Sequence, residues 1–226
     1  MNNAYYLIID IIAFILFAFL HTILASFKFK SIIALRIGSA MAFYRLAFNI
    51  FSLLFLIYMY EYLPRPDVEL FDLKYPWDIV ILIPQFLALA GIIWTFRFFS
   101  LYEFIGLAQI KRWIDGKFVT VREETKPAFG EQADVSNDIK ISEDVYDEKL
   151  TLKIEGPYKV VRHPLYLFVI ICLIFRPTMD LFYFVFLIFL IVYFYVGTFY
   201  EEKKLVTIFG DQYRKYQNSV PRLFPI

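Results

Sequence analysis

Cysteine, histidine and glycine are scarce in this chain, and each scarcity removes a class of chemistry. The lone Cys172 leaves no disulfide to form within the chain, so packing must hold the fold. The two histidines, His21 and His163, stand in no recognised ligand spacing, which argues against a metal site. The eight glycines are scattered. None of them builds a G-x-G-x-x-G turn, and no strand–helix alternation surrounds them, so a Rossmann-type nucleotide site is excluded. A net charge of +1 offers no basic footprint for nucleic acid.

What the chain has instead is apolar length. Sixty per cent of its residues are apolar and 21% aromatic, outside the soluble globular range. Tyr5 to Phe27 is one long run, interrupted by Asp10, His21, Thr22 and Ser26. Leu46 to Tyr60 is a second, and Ile79 to Phe99, carrying Pro84 and Arg97, a third. Each approaches the roughly 20 residues that carry a helix across a bilayer core. Leu165 to Phe175 is only 11 residues, and Leu181 to Val196 is 16, extending to about Tyr200. Arg176-Pro177-Thr178-Met179-Asp180 separates the two with a helix breaker and a cap at Thr178 or Asp180. The pattern predicts an all-α membrane protein of about five transmembrane helices, the last two forming a tight hairpin over 164–200 with a short first arm.

Lys and Arg near the run ends set the expected orientation. Lys28, Lys30, Arg36 and Arg45 flank the first connection, and Lys111, Arg112, Lys117 and Arg122 follow the third run. The tail adds Lys203, Lys204, Arg214, Lys215 and Arg222, whereas the connection at 61–78 is mixed and acidic. Five crossings with the N-terminus outside put all three basic regions in the cytoplasm. The first run is too long for the core of a cleaved leader and lacks a basic start, so it is expected to stay as a helix. Three parts follow: residues 1–110 as three helices, 111–155 as a cytoplasmic polar insert, and 156–226 as the hairpin and tail. Between Glu123 and Glu155 the insert carries ten acidic and four basic residues. Alternation at 117–121 and 149–154 suits a small hairpin or lid, with a loop at 131–147 between.

The chemistry concentrates after residue 155. Gly156-Pro157-Tyr158 is followed by Arg162-His163-Pro164-Leu165-Tyr166, and Glu201-Glu202 close the last apolar run. The tail reads Phe209-Gly210-Asp211-Gln212-Tyr213-Arg214-Lys215-Tyr216, then Val220-Pro221-Arg222. Taken singly, these have bland readings: proline starts helices, Arg and His sit at membrane interfaces, and paired carboxylates end a helix in water. Taken together, they place fixed charges at the mouth of a helical hairpin, which suits a charged small molecule at the membrane.

These motifs resemble the isoprenylcysteine carboxyl methyltransferase and phospholipid methyltransferase superfamily of integral membrane enzymes. The resemblance is strongest over 156–226. Phe19-Leu-His-Thr-Ile-Leu-Ala-Ser26, Tyr44-Arg-Leu-Ala-Phe-Asn49, Phe104-Ile-Gly-Leu-Ala-Gln109 and Arg176-Pro-Thr-Met179 are similar to the methanethiol S-methyltransferase and NnrU-like branch. It implies S-adenosylmethionine as cofactor in a cytoplasmic pocket. By the same resemblance, Tyr158, Arg162, His163, Pro164, Tyr166, Glu201, Glu202 and Gln109 bind it, with Arg162 and Glu202 the catalytic candidates; Arg222 is a lesser site candidate. Family members commonly place Gly two residues after the motif tyrosine. Here Phe168 stands there, where a ring narrows the pocket or alters a helix contact.

Methyl transfer from a sulfonium needs binding, alignment and exclusion of water more than acid–base chemistry. Aromatic faces and carboxylates suit the cation, and cationic side chains suit the methionyl carboxylate. His21 and Arg97 are candidates for contact with the acceptor, a membrane lipid or a lipophilic or thiol small molecule. His21 also reads as a helix-to-helix hydrogen-bonding residue, and Asp10 is expected to reach the outer interface. Two alternatives stay open on the same scaffold: a membrane reductase using a nicotinamide cofactor, and a non-catalytic accessory protein.

Overall fold

The computed structural model describes residues 3–118, 152 and 154–225. The described chain is nearly all helical. Four helical stretches are long and apolar enough to cross a membrane: Asn3–Ala25, Lys28–Tyr62, Trp77–Thr95 and Leu181–Phe209. A fifth, Pro164–Ile174, is apolar but shorter. Within these lie α1 (Asn3–Ala25), α2 (Phe27–Ile37), α3 (Tyr44–Tyr62), α4 (Trp77–Val80) and α5 (Leu82–Thr95). Next come α6 (Leu101–Ile105), α7 (Leu107–Ile114), α8 (Pro164–Ile174), α9 (Leu181–Phe209) and α10 (Asp211–Ser219). A 3₁₀ turn at Gly38–Phe43 joins α2 to α3. The hairpin or lid expected at 117–121 and 149–154 and the loop at 131–147 fall outside the described residues, except for 117, 118, 152 and 154.

Contacts divide the chain into two compact units, each discontinuous in sequence. The first comprises Met1–Ile15, Leu63–Phe99 and Thr151–Ile226; the second comprises Leu16–Tyr62 and Ser100–Leu150.

In the first unit α8 lies along α5. A Cβ added to Gly91 would fall 2.5 Å from the Phe168 ring, so the two helices approach closely only because Gly91 has no side chain. Phe168 therefore alters a helix contact, one of the two outcomes its bulk implies, and fills the space a glycine on the neighbouring helix leaves. Phe14 of α1 stacks on Phe189 at 5.0 Å and tilts against Phe186 at 5.6 Å. One turn before it, Asp10 is fully buried rather than at the interface, and its carboxylate oxygens have no hydrogen-bond partner among the described residues.

Asp180 is the cap between α8 and α9, its Oδ1 accepting from Tyr183 N at 2.7 Å. Beside it runs a two-stranded antiparallel ribbon, β1 (Glu69–Asp72) with β2 (Thr178–Asp180), pairing Glu69 with Asp180 and Phe71 with Met179. Such short strands carry too few residues for an alternating pattern to be read. The ribbon ties the α8–α9 turn to the connection after α3, and Asn3 Oδ1 accepts from Asp67 N at 3.3 Å. The chain start, that connection and the hairpin turn thus share one end of the first unit. The motifs at 156–166 and 201–222 stand at the opposite ends of α8 and α9.

The second unit closes on side chain–backbone bonds. Tyr44 Oη donates to Leu24 O at 2.7 Å, and Arg45 Nη1 donates to Glu103 O at 2.9 Å. Asn49 Nδ2 donates to Phe104 O and Ile105 O, each at 3.0 Å. Ala34, Met41, Ala42 and Phe118 form a buried apolar cluster.

Candidate functional site

The site begins at a glycine in a conformation that other residues rarely adopt. Gly156 has φ +55°, and a Cβ there would lie 2.3 Å from the Phe98 ring, so conformation and space both require glycine. The 3₁₀ turn that follows, Gly156–Lys159, delivers Tyr158. Tyr216 Oη donates to the Tyr158 carbonyl at 2.6 Å and fastens the turn to α10. Burial, with the Glu201 charge adding, pushes the Tyr158 phenol up to about 12, so it stays neutral over the physiological range. Burial likewise raises Tyr213 and Tyr216.

Two backbone bonds then lay residues 162–163 against the tail: Arg162 N to Pro221 O at 2.9 Å and His163 N to Arg222 O at 3.0 Å. Pro164 opens α8 at the first helical position, where its missing N–H removes no hydrogen bond.

Glu202 is the centre on which these segments converge. Its carboxylate accepts from Arg162 Nε at 2.8 Å and Nη2 at 3.2 Å, a two-pronged pair. Gln217 Nε2 donates at 2.9 Å, and Arg222 Nη2 and Nε donate at 3.1 and 3.3 Å. His163 Nε2 lies 3.2 Å from the same carboxylate. The side chains of Glu202 and Arg162 are only 3% and 7% exposed. Arg162 Nη1 also donates to Gln217 O at 2.7 Å. One carboxylate therefore clamps the start of α8, the body of α9 and the tail.

The expectation that the acidic pair ends the last helix is corrected: α9 continues to Phe209, two turns further. The carboxylates lie in the helix body, where neighbouring positions are about 100° apart around the axis, so Glu202 is buried while Glu201 is exposed. Glu201 Oε2 accepts from Tyr166 Oη at 3.2 Å and lies 3.4 Å from His163 Nδ1. His163 stacks on Tyr166 at 5.6 Å, and Tyr166 on Phe194 at 5.0 Å with planes 2° apart. The Arg222 guanidinium sits 3.8 Å over the Phe199 ring, its side chain 25% exposed. The result is a buried, cross-braced base carrying an accessible rim of carboxylate, aromatic faces and a guanidinium. Such a rim suits a ligand bearing both a cationic centre and a carboxylate.

Tyr158, Arg162, His163, Pro164, Tyr166, Glu201 and Glu202 are thus brought together in the first unit, with Arg222. Gln217 is the member that sequence reasoning missed. It follows the tail's second tyrosine without any pattern that marks a polar anchor. Arg97 follows α5 in the first unit and is exposed. Gln109 and His21 make their contacts in the second unit. Gln109 is buried and donates to Glu103 Oε2 at 3.0 Å, while its Oε1 has no partner among the described residues. His21 packs against the rings of Phe48 at 4.7 Å and Phe17 at 5.4 Å.

Fold and site together define a polytopic helical membrane protein with a charged cluster at one end of its last hairpin. The chain is 27% identical over 226 residues to methanethiol S-methyltransferase 1 of Bradyrhizobium diazoefficiens, covering 99% of this chain and 68% of that protein. Over 68 residues it is 43% identical to methanethiol S-methyltransferase of Pseudomonas deceptionensis, 30% of this chain and 26% of that one. Over 80 residues it is 38% identical to the Crocosphaera subtropica protein of the same name, 34% of this chain and 31% of the other. The latter two matches therefore span less than a third of their proteins' length. These relatives support the methanethiol S-methyltransferase branch that the motifs resemble. No family model and no solved structure matches the chain.

Proposed function

We propose that the chain is an integral membrane methyltransferase that uses S-adenosylmethionine to methylate a small thiol. The observation that carries this reading is the convergence of Arg162, His163, Gln217 and Arg222 on Glu202, with Glu201 and Tyr166 on the accessible rim. The relatives' names supply the thiol.

The donor set fits the cofactor. Glu201 and the faces of Tyr166 and Phe199 would hold the cationic portion, and Arg222 the methionyl carboxylate, with Tyr158 as a further contact. Bound there, S-adenosylmethionine supplies a methyl group on an excellent leaving group. The protein's tasks are then alignment and dryness. Arg162 and Glu202, the catalytic candidates, hold each other in a buried pair, and their part is to fix His163 and the tail that bears Arg222. The thiol loses its proton as its sulfur gains the methyl. Glu201 and His163 Nδ1 are the groups positioned to accept that proton. Positive potential from the two arginines favours the thiolate.

The shared location of the chain start, the connection after α3 and the hairpin turn is what five crossings with the N-terminus outside require. That topology turns the motif end, with its Lys and Arg, toward the cytoplasm, where the cofactor is made.

The test is calorimetric titration of detergent-purified protein with S-adenosylmethionine and S-adenosylhomocysteine, beside headspace detection of dimethyl sulfide from methanethiol. Saturable binding with product release is expected. Exposed Glu201 changed to Gln should leave the fold intact and lower turnover by about a hundredfold. A folded wild type that binds neither compound overturns the reading.

A further inference from the structure

Among the described glycines, Gly197 alone has neither a conformational nor a packing need to be glycine. Gly38, Gly106, Gly116, Gly156 and Gly210 have positive φ, and at Gly91 an added Cβ would strike the Phe168 ring. Gly197 lies inside α9, on ordinary helical backbone. A Cβ there would meet nothing described within 4 Å beyond its chain neighbours and its own helix backbone. Glycine weakens a helix relative to alanine, and membrane helices keep it where a neighbouring helix comes close. Here no described segment does, so the glycine preserves an empty space.

That space adjoins the site. Tyr193, Gly197 and Glu201 recur at i, i+4 and i+8, so they line one face of α9 over about 12 Å. Tyr166 of α8 runs alongside the same stretch: its ring stacks on Phe194 at 5.0 Å and its hydroxyl donates to Glu201 at 3.2 Å. Tyr193 is within electrostatic reach of that phenol. Thr198, the next residue, is fully buried, so packed core borders the gap. The result is a notch one side chain wide, with Tyr193 at its deep end, Glu201 at its mouth and Tyr166 beside it.

We propose that this notch seats the methyl-accepting thiol and that Gly197 limits it to a small one. The inference rests on the methyl-transfer reading and deepens it by naming what sets acceptor size. A thiol seated there has aromatic faces against its carbon end and, beside its sulfur, the carboxylate of Glu201, 48% exposed. Tyr193 bounds the room left for carbon, so longer thiols are turned away by bulk. A contact between two copies of α9 would call for a second small residue one turn away, and positions 193 and 201 hold Tyr and Glu instead.

Gly197→Ala and Gly197→Val are compared with wild type as full chains in mild detergent. Both substitutions favour the helix, so melting should hold or rise. Calorimetric affinity for S-adenosylhomocysteine should stay within about threefold of wild type. The methanethiol KM should rise about tenfold for Ala and about a hundredfold for Val, with kcat little changed. Gly197→Cys, made with Cys172→Ser, should react with methyl methanethiosulfonate but not with a bulky biotinylated methanethiosulfonate. Tyr200→Cys, at a position 68% exposed, should take both labels. Unchanged KM values with S-adenosylhomocysteine binding intact would overturn this inference and leave the methyl-transfer reading standing. Loss of S-adenosylhomocysteine affinity in both variants would do the same, by giving the notch to the cofactor. So would a bulky label that enters at 197 as fast as at 200, which would make the gap an open face. A folded wild type that binds neither S-adenosylmethionine nor S-adenosylhomocysteine overturns the reading and this inference together.

Discussion

Two carboxylates in this chain are gripped by arginine forks, and they differ in what the fork joins. Glu103 of the second unit is held by Arg112 Nη1, and by Arg112 Nη2 at 3.1 Å, only nine residues along the chain. Its side chain is 40% exposed. Glu202 of the first unit is 3% exposed and takes donors from Arg162, 40 residues back, and Arg222, 20 residues on. The first pair joins two neighbouring short helices; the second joins three segments that lie 20 and 40 residues apart in the chain. The same chemistry therefore serves as local trim in one place and as the keystone of a site in the other. Burial sets the difference, because a buried ion keeps its full interaction with its partner and has no water to fall back on.

The largest effect should come from breaking the keystone. Glu202→Ala leaves the buried Arg162 guanidinium without its carboxylate partner, and removal of one partner of a buried pair costs about 3–5 kcal/mol. Thermal melting in detergent should drop by many degrees, and binding of S-adenosylmethionine should vanish with it. Glu202→Gln keeps an acceptor but not the charge, and should fall between Ala and wild type. A melting curve for Glu202→Ala that overlays the wild type would break the comparison outright.

How far this architecture was legible from sequence depends on the length scale of the signal. Transmembrane helices announce themselves because some twenty consecutive apolar residues have few other soluble or insoluble fates, and all five runs became helices. Arg162, His163, Tyr166, Glu201 and Glu202 were found through motif resemblance. Their division of labour was not, since adjacency in sequence gives no hint that Glu202 faces inward and Glu201 outward. Deciding that required knowing that α9 continues through Phe209. Gln217 was invisible because a carboxamide anchored by tertiary contact has no sequence period. Asp10 was misjudged for the converse reason. Its distance from the helix end suggested the interface, but tertiary packing of α1 buries it.

A second contrast between the units concerns glycine, and its effects should be next in size. Gly106 has φ +104°, and a Cβ there would lie 2.6 Å from the backbone N of Leu46. Neither strain nor clash can be relieved by a neighbouring side chain, so Gly106→Ala should cost about 2–3 kcal/mol with no rescuing partner. For Gly91→Ala in the first unit, the three nearest atoms to the added Cβ all belong to the Phe168 ring. The substitution should cost about 1–3 kcal/mol, and Phe168→Ala in the same chain should recover part of the loss. Double-mutant melting that finds Gly91 and Phe168 additive would deny the helix contact assigned to them.

Alkaline titration measures the burial that distinguishes the first cluster. Tyr158 ionises near 10 in the unfolded chain and is pushed up to about 12 in the folded one. The folded state holds the proton more tightly, so this stabilisation is fully present below pH 10 and is lost as pH climbs toward 12. Wild type should therefore lose stability more steeply over that window than Tyr158→Phe. The change leaves the Tyr158 carbonyl, and hence its bond from Tyr216, in place. Parallel pH–stability curves for the two proteins would mean that the phenol is solvated and the cluster less buried than its geometry implies.

The smallest expected effect is the sharpest control. Glu103→Gln removes a charge that is 40% exposed, and its partner Arg112 sits on the same short stretch. Pairs whose carboxylate is exposed contribute about 0–1 kcal/mol because water and salt already solvate that ion. The amide also keeps an oxygen for Arg112, and the Glu103 carbonyl that holds Arg45 is untouched. Melting of Glu103→Gln should stay within a degree or two of wild type, and the small difference should shrink as salt is raised. A loss comparable to that of Glu202→Gln would mean that burial is not what separates the two forks. The role assigned to Glu202 would then have to rest on its partners alone.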